Sequence, residues 1–438
     1  MSAGPTIGIT TLGCRLNQVE SQEMRALAER AGFRVVEEGE AAQVYVVNTC
    51  TVTSRADFSD RQAIRRITRA NPDALVVVTG CLAQTDPGAL ARMPGVDLVL
   101  GNQEKYRLPE LLGSLSRRDR PAVRVGDIAE ARRIPRAPVA RMAGRSRAFV
   151  KIQDGCQHRC AFCIVPAARG RSRSHEPEAV VEQVEALVGA GHGEITLTGV
   201  DIGHYGWDLV PRTSLAALAS RLAEVPGLRW LRLSSILPAY FTPELFEAVT
   251  GIPKIAPHLH LPLQSGSDRV LRLMRRPYNT GMYRALAERL AAAIPDLGLG
   301  ADLIVGHPGE EERDFEATWA LVDALPLTYL HVFAYSDRKG TEAATMGGRV
   351  AAATIRERSA RLRGLGAEKS LSFRQRLLGR AVEVLVLERR ESAGVLTGLT
   401  SNFVEVAFAG PEGLGRRFAT VRLTDADHRG ARGVLEAA

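Results

Sequence analysis

Three cysteines in one short loop constrain this chain more than any other feature. Residues 149–152 (FVKI) are apolar and strand-like, and they run into a loop holding Cys156, Cys160 and Cys163 in CxxxCxxC spacing. Three thiols so close in sequence can turn to one point and bind a metal centre. They pair poorly with one another, because a disulfide needs Cα separations and Cβ directions that such a loop rarely supplies. Three chemistries fit the spacing. An iron–sulfur cubane held by three thiolates leaves one iron open to a small molecule. A zinc site needs a fourth ligand, for which His158 is the close substitute. A redox-active thiol loop is the third. The open iron–sulfur site fits best, because no second cysteine pair stands nearby.

The chain has 438 residues, which suggests two to four domains at roughly 100–200 residues each. Lys plus Arg outnumber Asp plus Glu by 57 to 49, a modest excess that permits a polyanionic partner without requiring one. No stretch approaches the roughly 18 uninterrupted apolar residues of a membrane span. The N-terminus has neither a basic segment nor a long apolar one, so a cytoplasmic location is expected. In that compartment six cysteines are expected to be ligands or catalysts rather than disulfides.

Strands are expected at 6–11, 43–48 and 75–79, with helices between them, which argues for a doubly wound parallel sheet. Asn17 and Glu20 read as a capping pair opening a helix that runs to about Arg30. Cys14, Cys50 and Cys81 each follow a strand end by a few residues. In a parallel sheet those ends share one edge, where ligands bind. The coincidence of three points to a second metal site. The arginines of the 55–70 helix read as a solvated face. Residues 126–147, rich in Pro, Gly and Arg, read as a basic interdomain linker that lines a nucleic-acid channel or is merely solvated.

From residue 148 the alternation resumes, with strands expected at 149–152, 194–198, 230–234, 257–261, 299–305 and 329–335. Six βα units suggest an incomplete TIM-like barrel, with chemistry at the carboxyl ends of its strands. Phe162 beside Cys163 adds an aromatic wall. The loops after the strand ends carry Gly199 and Gly203, Ser235, and Gln264, while Asp302 lies within the fifth strand. His258 and His260 alternate on one strand and read as structural. After an Arg-rich helix over 356–376, short β-rich runs argue for a small antiparallel barrel of about 65 residues, a common nucleic-acid-binding scaffold. Arg374, Arg376, Arg380, Arg416 and Arg417 are its candidate phosphate contacts; a solubilising β-domain is the plainer alternative.

The text GCQHRCAFCIVPAARGRSRS resembles the methylthiotransferase branch of the radical S-adenosylmethionine (SAM) superfamily. TLGCRLNQVES, VNTCTVT and TGCLAQ are similar to that branch's three N-terminal cysteine motifs, LTGVDIGHYG, HLPLQSGSDRVL and ADLIVGHPGE to its central blocks, and GLTSNFVEVAF to the TRAM domain. Asp201 stands where asparagine is expected, and His307 where phenylalanine is. The resemblance implies an α/β multidomain enzyme: residues 1–125 with an auxiliary [4Fe–4S] cluster on Cys14, Cys50 and Cys81, the 126–147 linker, a radical SAM core over 148–370, and a TRAM-like barrel over 371–438. It implies a cluster on Cys156, Cys160 and Cys163 that splits SAM to a 5′-deoxyadenosyl radical, with Phe162, Gly199, Gly203, Ser235, Gln264 and Asp302 lining the SAM and substrate pocket. The auxiliary cluster would deliver sulfur, a second SAM the methyl group, and no acid–base residue is nominated. The motifs are closest to the branch acting on N6-threonylcarbamoyladenosine at position 37 of tRNA. Partners implied are the tRNA anticodon loop and a flavodoxin or ferredoxin, with no membrane. Alternatives are the isopentenyladenosine branch, the branch acting on a ribosomal-protein aspartate, and a non-catalytic, metal-stabilised RNA-binding protein.

Overall fold

A computed structural model of the chain describes residues 4–37, 39–113, 121–392 and 394–436. Its first unit comprises β1 (Thr6–Thr11), α1 (Arg15–Arg30), β2 (Arg34–Val36), β3 (Val44–Thr49), α2 (Ser54–Ala70), β4 (Leu75–Gly80), α3 (Cys81–Thr85), β5 (Leu98–Leu100) and β6 (Ala122–Arg124). The strands form one parallel sheet in the order β2-β1-β3-β4-β5-β6. Both faces are covered, as the near-continuous β-branched runs demand. Ile7, Val46, Val77 and Met24 pack on one side, and Val47, Val78, Ile64 and Leu90 on the other. The chain order reverses between β1 and β3, so the crevice outside their carboxyl ends is the natural ligand position.

The central unit carries β7 (Ala148–Lys151), the short ribbon β8 (Gln153–Asp154) and β9 (Arg173–Ser174), β10 (Glu194–Thr198), β11 (Trp230–Leu233), β12 (His258–His260), β13 (Gly298–Val305) and β14 (Tyr329–Ala334). Two parallel three-stranded sheets, β7-β10-β11 and β12-β13-β14, are joined through a Leu231–Ile255 bridge into an incomplete barrel. Helices cover its outside, burying Val180, Val184, Leu218, Leu290 and Val322 against Leu197, Leu231 and Leu303. Several are started by side-chain caps; Ser214 accepts from Ala217 N–H at 3.2 Å and Asn279 from Met282 N–H at 2.8 Å. The other face of β13 places Gly298, Gly300, Asp302 and Ile304 in a column inside the barrel.

After the helix Ala352–Gln375, the strands β15 (Ala381–Ser392), β16 (Val395–Thr400), β17 (Glu405–Ala409), β18 (Phe418–Ala426) and β19 (Ala431–Leu435) close in the order β15-β16-β17-β19-β18. Val384, Val406, Phe408 and Val421 fill this small barrel. Its 400–404 turn docks on the amino ends of the central strands. Arg232 donates to Ser401 O at 2.8 Å, Asn402 donates to Asp296 O at 3.1 Å, and Phe403 stacks on His258 at 4.3 Å.

The first unit closes the open side of the central barrel. The 51–57 segment meets the loop after β14, where Arg338 donates at 2.6 Å to both Thr51 Oγ1 and Asp57 Oδ2. Across the gap, α1 lies against β7 through buried charges. Glu20 receives Lys105 at 2.7 Å and Arg169 at 2.9 Å, Lys151 reaches Glu23 at 2.9 Å, and Arg169 also reaches Asp154 at 3.0 Å.

Two local expectations are corrected. Asn17 and Glu20 do not cap α1; Cys14 is its N-cap residue and makes no side-chain cap bond. Asn17 instead ties two sheet-edge turns, donating to Leu12 O at 2.7 Å and Thr49 O at 2.9 Å, while Glu20 enters the charge network. The capping pattern is local, and a buried arginine from another unit competes for the same side chains. Nor is the 126–147 stretch simply solvated. Ile134, Ala137, Val139 and Met142 are buried, and Arg147 turns inward to lie 5.5 Å from the Phe403 ring.

Burial alone would raise the Glu20 pKa, but Arg169, Lys105 and Lys151 outweigh it and hold the carboxyl well below its usual range. Glu20→Gln is expected to cost about 3–5 kcal/mol at pH 7, because it leaves buried cations short of a partner. A carboxyl depressed in the fold stabilises above its unfolded pKa of about 4.3, and the contribution falls by about 1.4 kcal/mol per pH unit below it. Urea denaturation of both proteins at pH 7 and at pH 3 measures this. A gap that does not narrow on acidification would mean that charge is not the reason.

Candidate metal centres and the cavity between them

Cys14 ends the turn after β1, Cys50 follows β3 and Cys81 opens α3 directly after β4. These strands are neighbours, so the three thiols share one sheet edge at the point of order reversal. Glycines make the convergence possible. Gly13 has φ +96°, and a Cβ there would strike the Cys50 side chain, 2.8 Å from its sulfur. Burial, with the Cys81 and Cys14 thiols adding to it, pushes the Cys50 thiol up to about 12. Cys81 is also raised by burial, with the Arg169 guanidinium opposing. Crowded buried thiolates need a compensating cation, which a metal centre supplies.

The second triplet sits on the loop between β8 and β9. Cys156 N–H donates to Gly170 O at 2.9 Å and Cys163 N–H to Cys160 O at 3.1 Å, which fixes the turn. Arg276 Nη1 donates to Cys160 Sγ at 3.2 Å. Burial raises the Cys156 thiol to about 12 and the Cys163 thiol to about 11. All six cysteines are free. A tetrahedral zinc, with Zn–S near 2.3 Å, holds its sulfurs within about 4 Å of each other. Among the described residues neither triplet brings three sulfurs within 4.8 Å. The wider spacing suits a cubane. Cys156, His158 and Asp201 do converge within 4.8 Å, but His158 is bonded to the Tyr240 hydroxyl and stacked on His204.

One cavity lies between the second triplet, which contributes Cys163, and the segment that follows Cys50. Val52 and Thr53, which follow Cys50, face Phe162 and Cys163, with Gln264, Asp302, Ile304 and Phe333 completing it. Gln264 is held at φ +67°, a conformation non-glycine residues rarely adopt, and its buried Oε1 has no partner. That orphan acceptor aimed at a cavity fits an absent ligand. Phe162 meets the edge of His307, which is fully buried and kept neutral by desolvation. The aromatic slot expected of phenylalanine is thus filled by an uncharged imidazole. Asp201 is buried, with its carboxylate 3.4 Å from both His158 and His204.

Other expected site residues are placed differently. The glycines at 199 and 203 are required by protein packing: a Cβ at Gly199 would lie 2.8 Å from Gln153 Oε1, and at Gly203 2.7 Å from Tyr240 Cβ. Ser235 follows the carboxyl end of β11 and is half-buried. Asp302 does not stand free: His331 Nδ1 is hydrogen-bonded to its Oδ1 at 3.2 Å, and His260 Nε2 lies 3.1 Å from the same oxygen. Burial alone would raise its pKa, but these two partners hold it below the usual range. Of the five arginines, Arg380 pairs with Asp296 and Arg416 donates to Ala190 O at 3.2 Å, both joining the small barrel to the central unit. Arg374 is half-buried, while Arg376 and Arg417 are exposed. Sequence reasoning missed Arg169, Arg276, Arg338 and His331, whose partners Glu20, Cys160, Thr51 and Asp302 lie far away in the chain.

Residues 6–101 match the family described as Uncharacterized protein family UPF0004, and residues 150–322 match the Radical SAM superfamily. The chain is 36% identical to the threonylcarbamoyladenosine tRNA methylthiotransferase MtaB of Bacillus subtilis, over 97% of this chain and 94% of that one. It is 38% identical to the tRNA-2-methylthio-N(6)-dimethylallyladenosine synthase of Moorella thermoacetica, over 97% of each. Among solved structures, the radical SAM methyltransferase TsrM of Kitasatospora setae shares the fold, with a TM-score of 0.58 at 17% identity over 78% of this chain and 77% of that one.

Arg276→Met removes the positive donor beside Cys160 while keeping much of its bulk. The midpoint potential of an iron–sulfur centre on that loop is expected to fall by something on the order of tens of millivolts, since a nearby cation favours the reduced cluster. Redox titration followed by electron paramagnetic resonance reads this, and an unchanged potential would make the contact electrostatically silent.

Proposed function

The chain belongs to the radical SAM methylthiotransferase family, and on that premise we propose that it converts N6-threonylcarbamoyladenosine at position 37 of tRNA to the 2-methylthio derivative. One observation carries this reading: the cavity is walled by Val52 and Thr53 from one cysteine site and by Phe162 and Cys163 from the other. A base held there would lie against Cys163 on one side and the segment that follows Cys50 on the other. Cys156, Cys160 and Cys163 would hold the [4Fe–4S] cluster that binds SAM, and Cys14, Cys50 and Cys81 the second cluster. When bound, these groups supply the radical, the sulfur and the methyl group; the chemistry is theirs.

The protein binds, orients and excludes water. Gln264 offers its unpartnered Oε1 to SAM or substrate, and Phe162 gives a flat apolar face. Val52, Ile304 and Phe333 line the space with hydrocarbon. Arg338, through Thr51 and Asp57, fixes the segment after Cys50 against the central barrel. Gly199, Gly203 and Ser235 complete the rim, where the two glycines act by letting Gln153 and Tyr240 close in. Exposed Arg376 and Arg417 of the C-terminal region contact tRNA phosphates, and a flavodoxin or ferredoxin delivers electrons in the cytoplasm. The threonylcarbamoyl substrate, rather than the isopentenyl one, is supported by the TLGC, NTCTVT and TGCLAQ text and by the polar group of Asp302, His260 and His331 at the cavity.

Nucleoside mass spectrometry on total tRNA from cells with and without the gene tests the proposal. The methylthio form of threonylcarbamoyladenosine is expected to vanish and its precursor to accumulate. Loss of only the isopentenyl derivative would overturn the substrate, and no change in any nucleoside would overturn the tRNA assignment. In the purified protein, Cys50→Ser and Cys160→Ser are each expected to remove about half of the bound iron, by different halves. Iron analysis and spectra distinguish this from a single shared centre, in which either change would remove all of it.

A further inference from the structure

Arg15 follows Cys14 immediately, and its side chain points into the central barrel, where its guanidinium lies 5.9 Å from the Phe403 ring. It is half-buried, and among the described residues no carboxylate lies within ion-pair reach of it. Nearby Glu194 is already taken by Arg232 at 2.8 Å and approached by Arg147 at 3.8 Å. A partly desolvated cation without an anion is costly, and a permanent one such as arginine cannot escape by losing its proton.

One layer nearer the cavity lies the group formed by His260, Asp302 and His331. Asp302 pairs with His331 across β13 and β14, two residues along from the pairing of Gly300 with Tyr329. Both histidines approach the same oxygen, Oδ1, which leaves Oδ2 and the half-exposed His331 Nε2 for a ligand. Asp302 lines the cavity shared by the two cysteine sites. From that cavity inward, the barrel presents an acceptor and an imidazole, then the Tyr329 ring lying over Gly300 with its hydroxyl on His258, and beside that ring the guanidinium of Arg15, which has no carboxylate partner among the described residues.

Resting on the substrate proposed above, we propose that Arg15 binds the carboxylate of the N6-threonylcarbamoyl group, while Asp302 Oδ2 accepts its carbamoyl N–H and His331 Nε2 accepts its hydroxyl proton. These residues determine specificity for an anionic, hydrogen-bonding substituent. A dimethylallyl group would leave all three desolvated without partners, the situation in which polar sites reject analogues most strongly. Asp302 on this assignment serves the substrate and not SAM.

The test compares the reconstituted holoenzyme and its Arg15→Met and His331→Phe variants on two substrates, tRNA carrying N6-threonylcarbamoyladenosine and the same tRNA with that carboxylate methyl-esterified. Wild type is expected to favour the acid in kcat/KM by roughly tenfold to a hundredfold, the range of a charge-assisted contact. Arg15→Met is expected to abolish the preference, whereas His331→Phe is expected to weaken both substrates and keep it. The readout is a ratio on one preparation, so incomplete cluster loading next to Cys14 cancels. Equal losses on acid and ester in Arg15→Met, with the preference retained, would overturn the inference. Wild-type enzyme inactive on the threonylcarbamoyl tRNA but active on the isopentenyl form would overturn the substrate reading itself, a separate failure.

Discussion

Arg169 holds the molecule's two halves in register. Its guanidinium joins Glu20 and Asn17 of the first unit to Asp154 of the central one and faces Cys81. The carbonyl of the next residue, Gly170, takes the N–H of Cys156. One residue thus touches the surroundings of both cysteine sites. An apolar interface can slide by an ångström at little cost. This one cannot, because any slip strands a buried charge among Glu20, Glu23, Asp154, Lys105 and Lys151. The network is better understood as fixing the distance between the two cysteine triplets than as a source of net stability.

Each unit closes what another leaves open. A six-stranded incomplete barrel has a gap between its first and last strands, and α1 with the 51–57 segment fills it. The amino end of the barrel is covered by the 400–404 turn, where Asn402 O occupies the space beside Gly298 that a side chain would need. The cavity between Cys163 and the segment after Cys50 belongs to no single unit.

Much of this was legible in the sequence, and the reasons are specific. β-branched runs place β1, β3 and β4 within a residue or so, and the position of one cysteine after each strand end brings the three to one sheet edge, because strand direction in a parallel sheet is topologically forced. The barrel strands were read almost as well. Side-chain roles were harder. Asn17 and Glu20 satisfy a local capping pattern, yet a buried arginine 149 residues from Glu20 decides what they do. Gly199 and Gly203 signalled close approach correctly, but the approaching groups are Gln153 and Tyr240. No periodicity announces that Asp302 will meet His331, since their pairing depends on the register between β13 and β14.

The Phe403 turn carries a consequence for the C-terminal barrel as a module. Phe403 sits in the left-handed region at φ +73°, stacked on His258 and ringed by the guanidiniums of Arg15, Arg147 and Arg232. A small β-barrel appended for RNA affinity would ordinarily be detachable, leaving catalysis intact but weaker in grip. Here removing it would open the amino end of the central barrel to solvent and unshield three arginines at once. The appendage has become a wall of the vessel, so exchanging it between relatives would change the dielectric of the central barrel's interior.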